Sequence, residues 1–126
     1  MSKQVIHTDH APAAVGTYSQ AIKVGNTVYI SGQLGLDPAT MQLKESFDAQ
    51  AKQAMDNLEA IAKAAGGSLA DTVKFNVSLT DLADFAALNQ VFEERLSAPY
   101  PARAAVQVAA LPKGGVVEIE AILQLA

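Results

Sequence analysis

The hydrophobic period of this chain switches four times between two residues and about 3.6. Few architectures accommodate strands and helices interleaved in that way. At 27–34, Val28, Ile30 and Leu34 face opposite to Tyr29, Ser31 and Gln33, which predicts a strand. Gly25-Asn26 is a turn signal joining it to a shorter strand at 20–24 as a hairpin, and Asp37-Pro38 closes the segment. From 47 to 65 the spacing is helical: Phe47, Ala51, Ala54, Leu58, Ile61 and Ala65 share one face, and Gly66-Gly67 is the stop. Residues 72–80 return to period two, with Val73, Phe75, Val77 and Leu79 on the apolar side. Asp81 is placed to cap a second helix with a Phe85, Leu88, Phe92, Leu96 stripe, which Pro99 and Pro101 forbid from continuing. Alternating runs at 103–110 and 116–125 flank the turn-rich LPKGG.

The order ββαβαββ predicts an α+β sandwich with two helices on one face of a mostly antiparallel sheet. The other face must then be solvated or covered by something else. In the period-two register it collects Tyr29, Ser31, Gln33, Arg103, Glu118 and Glu120 beside small alanines. Such a face suits a cleft or a subunit interface.

At 126 residues, half of them hydrophobic, the chain suits one compact domain over 1–126, without an internal repeat or linker. Its net charge of −4 and the lack of any Lys/Arg cluster argue against nucleic acid as a partner. With no cysteine there is no disulfide, thiolate metal site or cysteine nucleophile. His7 and His10 show no metal-ligand pattern. The N-terminus lacks the apolar stretch of a secretory signal, and no run is long enough to span a membrane, so a soluble, cytoplasmic protein is expected.

Arg103 is one of only two arginines and interrupts the small, apolar run PYPARAAV, where a guanidinium is suited to fixing a carboxylate. A structural ion pair or a loop cap is an equally ordinary use of an arginine there. Glu118 and Glu120 alternate on a strand, a pattern that usually means solvated edge charges but also suits proton handling. In a simple hairpin around LPKGG, Arg103 falls several residues from Glu118. Either the two strands are not hairpin partners, or a neighbouring subunit supplies one of the two residues.

GTYSQA at 16–21, ISGQLGL at 30–36, PARAAVQVAALP at 101–112 and VEIEA at 117–121 together resemble the Rid family, in particular its RidA branch of reactive-intermediate deaminases. The resemblance spans nearly the whole chain. It implies a chorismate-mutase-like fold with a six-stranded sheet, a homotrimer enclosing a central barrel, and sites in the clefts between subunits. The implied activity is hydrolysis of 2-iminopropanoate and 2-iminobutanoate to 2-oxo acids and ammonia, with no metal or organic cofactor.

Carried over by position, Arg103 binds the substrate carboxylate and Glu118 positions the attacking water. Tyr18 and Ser31 match further site positions, and Gly32, Asn89 and the backbone at Ala105 line the pocket. Glu120 reads as structural or as a partner of Glu118. Two departures stand out: Thr17 where the family often has proline, and Ala105 where several members have cysteine, so thiol chemistry there is excluded. The alternatives are a protein that binds or senses small carboxylates, which would need Arg103 but not Glu118, and a ribonuclease or translation inhibitor as reported in the wider family.

Overall fold

The computed structural model describes residues 2–126. Eight elements form in chain order: β1 (Gln4–Ile6), β2 (Ala21–Val24), β3 (Thr27–Leu34), α1 (Phe47–Ala64), β4 (Thr72–Leu79), α2 (Phe85–Arg95), β5 (Ala102–Gln107) and β6 (Val117–Gln124). The six strands make a single sheet in the order β1-β2-β3-β6-β4-β5, and only the β4–β5 pair is parallel. The expected α+β architecture and sheet size are therefore present. The sixth strand comes from Gln4–Ile6, too short to show a period, which pairs antiparallel with β2.

Local chemistry explains the boundaries. Gly25, at φ 59, takes the first position of the two-residue turn between β2 and β3. The Ser46 hydroxyl accepts from the Ala49 amide and caps α1. At the other end Gly66 turns left-handed at φ 97, and Lys23 Nζ donates to the Ala65 carbonyl at 3.1 Å. Asp81 caps not α2 itself but the short 3-10 turn Leu82–Asp84 that leads into it.

The helices cover one face of the sheet. Leu58 and Ile61 of α1 and Leu88 and Val91 of α2 are completely buried, and they meet Phe75, Val77, Ile119 and Leu123 from the strands. Each such side chain contributes roughly 1.5–3 kcal/mol by leaving water. Two bulges shift the expected alternation. One at Val73 leaves that valine 48% exposed and sends Thr72 inward, and one at Ser31-Gly32 buries Gln33 opposite Ile119 while Leu34 pairs with Glu118.

The runs around LPKGG are not hairpin partners. β6 inserts between β3 and β4, and β5 returns through α2 to lie parallel to β4 at the sheet edge. Glu118 and Glu120 accordingly sit on a central strand rather than on an edge.

Candidate active site

Glu118 stands on the face of the sheet that the helices leave open, paired laterally with Leu34 of β3 and Ser78 of β4. It lines a cleft of about 540 Å³ together with Tyr18, Ser31, Gly32 and Glu120. The Ser31-Gly32 bulge opens the space it needs. A β-carbon at Gly32 would lie 2.8 Å from Glu118 Cδ and 3.1 Å from Oε1, so only glycine lets the carboxyl group rest there undisturbed. Burial, and secondarily the charge of Glu120, hold the Glu118 carboxyl above the usual carboxylate range. Glu120 is itself engaged, accepting from Asn76 Nδ2 at 3.0 Å.

The remaining walls are loops held by backbone contacts. Ser31 Oγ donates to the Ser19 carbonyl at 2.6 Å and its amide donates to the Gln20 carbonyl at 2.9 Å, tying the bulge to the segment that carries Tyr18. Tyr18 is half exposed, and its hydroxyl accepts from the Val15 amide at 3.3 Å. Gln20 is 2% exposed; its side chain bonds the amide of Thr8 and the carbonyls of Thr8, Ala11 and Pro12, fixing the N-terminal wall.

Arg103 belongs to a different cleft, of about 380 Å³, on the helix side of the sheet. It pairs laterally with Phe75, an inward residue, so the expectation that it shares a face with Glu118 is corrected. The reason is topological: β5 takes its register from β4 in parallel, and that register turns Arg103 and Ala105 towards α2. Arg103 Nη1 donates to Asn89 Oδ1 at 2.8 Å, and the guanidinium carbon lies 5.2 Å from the Phe85 ring centroid and 5.3 Å from that of Phe92. Among the described residues no carboxylate pairs with it, so most of its five N–H donors remain available.

The residues expected to form one site thus fall in two clefts, Tyr18, Ser31, Gly32 and Glu118 in one, Arg103 and Asn89 in the other. Ala105 lies beside the Arg103 half, partly buried against the core opposite Val77. The two halves are separated by two strand spacings across the sheet and three residues along it, each roughly 10 Å, and by the sheet itself. His7 lies away from both, exposed and 3.0 Å from Asp9. No group of three or more potential metal ligands occurs among the described residues. Phe85 and Gln20 escaped the sequence reading. Phe85 counted there only as a helix-stripe residue, and a buried glutamine has no periodic signature.

The α+β domain thus holds a partly buried carboxyl in one cleft and an oriented arginine in another. The family model described as Endoribonuclease L-PSP matches residues 8–124, and the chain belongs to this family, the Rid family. RidA from the Antarctic bacterium Psychrobacter sp. is 75% identical in its crystal structure, covering 97% of this chain and 99% of that one, with a TM-score of 0.95. Escherichia coli TdcF, solved with bound serine, is 41% identical over 98% of this chain and 99% of that one, with a TM-score of 0.91. The protein named 2-iminobutanoate/2-iminopropanoate deaminase is 54% identical in Capra hircus and 49% in Homo sapiens, in each case over 95% of this chain and 88% of the relative.

Proposed function

We propose that the protein hydrolyses 2-imino acids with small side chains, such as 2-iminopropanoate and 2-iminobutanoate, to 2-oxo acids and ammonia. The observation that carries this reading is the Glu118 carboxyl, held over Gly32 with its proton affinity raised, in a cleft of a fold shared with relatives named for this reaction. Arg103 grips the substrate carboxylate through two parallel charge-assisted hydrogen bonds, each contributing ~1.5–3 kcal/mol. Asn89, Phe85 and Phe92 orient the guanidinium for that grip.

Glu118 takes a proton from water as the water oxygen bonds to C2 of the protonated imine. Glu118 returns that proton to the carbinolamine nitrogen. As the C–N bond breaks and ammonia leaves, the hydroxyl gives its own proton to the Glu118 carboxylate and becomes the 2-oxo group, and ammonia carries that proton away as ammonium. A carboxyl with raised pKa serves these transfers, since general acid–base catalysis is most effective near the working pH and contributes ~10²- to 10⁴-fold. Tyr18 and Ser31 complete the walls of the water-binding half.

Both half-sites act on one substrate only if Glu118 of one copy meets Arg103 of another. The uncovered sheet face, with Tyr29 and Val106 each at least 50% exposed, supports an assembly that buries it, and a homotrimer is the arrangement we favour. No helix among the described residues is long and apolar enough to cross a membrane, and a cytoplasmic location fits a substrate made in amino-acid metabolism.

The test is the loss of 2-iminopropanoate, generated by an amino-acid oxidase and trapped with semicarbazide. Wild type is expected to accelerate it, and Arg103→Ala and Glu118→Gln are expected not to. A wild type that leaves the decay unchanged for several side chains contradicts the proposal and favours a carboxylate-binding role. The family's endoribonuclease description points to RNA instead. Against it stand the net charge of −4 and the paired acids of the Glu118 cleft, both of which repel a phosphate backbone.

A further inference from the structure

We propose that Gln50, on the first turn of α1, sets the width of the Glu118 cleft and through it the size of the substrate side chain; the inference rests on the deaminase reading of that cleft. Gln50 is 3% exposed and joins two loops at once. Its Oε1 accepts from the Val116 amide at 2.9 Å, and its Nε2 donates to the Lys44 carbonyl at 2.9 Å. Val116 follows the turn that brings Pro112 and Lys113 to the cleft, and Lys44 closes the loop that brings Met41 to it. One neutral amide, which can donate and accept together, thus ties two segments of the cleft lining to a single helix.

The loops have little slack. Met41 and Lys113, both at φ 60, are the non-glycine residues with left-handed backbone among the described residues, and both line this cleft. Side-chain-bearing residues persist in that conformation only where their surroundings impose it. A β-carbon at Gly35 would lie 2.4 Å from Gln50 Cα, so the chain leaving β3 rests directly on the helix at this residue. Two turns further along α1, Asn57 donates to the carbonyls of Leu34 at 3.2 Å and Leu36 at 3.0 Å, and Gln53 donates to Asn57 Oδ1 at 2.9 Å. Leu34, Leu36, Met41 and Pro112, which form the apolar lining of the cleft on the side away from Pro12 and Val15, are therefore positioned by amides of one helix.

The test compares kcat and KM for imino acids generated from alanine, 2-aminobutyrate, leucine and phenylalanine in wild type, Gln50→Leu, Gln50→Glu and Ile61→Val. Ile61 is fully buried on the same helix, so its variant reports plain destabilisation. The expected result is a roughly tenfold fall in the preference for small over large side chains in the Gln50 variants, mainly through KM, with the Ile61→Val preference unchanged. Gln50→Glu keeps the shape and the acceptor for Val116 but sets a buried carboxyl oxygen against the Lys44 carbonyl, so the variant-free hydrogen-exchange readout serves if neither Gln50 variant folds. Slow hydrogen exchange at the Val116 amide of the wild-type protein is expected as well, and rapid exchange there overturns the inference without any variant. If wild type is active and the Gln50 variants keep its preference to within about twofold, the inference alone fails. If wild type acts on none of these imines, the deaminase reading fails first and the inference with it.

Discussion

Arg103 and Glu118 leave opposite faces of one sheet, on strands β5 and β6 with β4 between them. A 2-imino acid of a few carbons cannot reach from one to the other within a chain. The reaction proposed for this protein therefore assigns the carboxylate grip to one subunit and the water to its neighbour, and each half can be perturbed separately.

Gly32→Ala perturbs the water half. The added β-carbon meets the end of the Glu118 side chain, 2.8 Å from Cδ, and the carboxyl group must move aside. We expect kcat to fall by roughly 10²-fold with the fold retained, since the displaced group supplies the acid–base step. Steady-state kinetics together with circular dichroism checks this.

Arg103→Lys perturbs the carboxylate half. Lysine keeps the charge but loses the two parallel donors and the stacking on Phe85 and Phe92. KM is expected to rise by about one to two orders of magnitude, more than kcat falls, as befits a residue that holds the substrate in ground and transition state alike. A lower KM would contradict the assignment.

The Glu118 pKa gives a pH signature. Burial raises it first and Glu120 raises it further, so the acid limb of the kcat/KM profile should lie above the ordinary carboxylate range. Glu120→Gln removes the repulsion and should shift that limb to lower pH. Stability follows the same sign: a carboxyl whose folded pKa is raised destabilises the fold once pH exceeds its unfolded value. Glu118→Gln is accordingly expected to raise Tm at pH 7 and to leave it nearly unchanged at a pH below the ordinary carboxylate range.

Hydrophobic period sufficed to place α1, β3 and β4 to within a residue or two, because each buries one regular stripe, and α2 apart from the 3-10 turn that precedes it. It failed where the backbone leaves regularity. The bulges at Val73 and at Ser31-Gly32 reverse which side chains face inward, and three residues at Gln4–Ile6 are too few to show a period. Strand order was invisible for a different reason: nothing local to 102–107 says that β5 pairs with β4 rather than with β6, and that long-range choice turns Arg103 towards α2. Arg103 and Glu118 were marked by residue type and by family resemblance. Gln20 and Gln50, which hold the walls, were not, since a buried amide is conspicuous only once its partners are known.

The most direct measurement is complementation. Arg103→Ala and Glu118→Gln chains carrying different affinity tags are co-expressed, and assemblies containing both are isolated and assayed for loss of 2-iminopropanoate. Each variant alone should be inactive; in the proposed trimer every mixed assembly joins one intact Glu118 to one intact Arg103 and should recover roughly one third of the wild-type rate. Mixed assemblies as inactive as either parent would contradict a site shared between subunits.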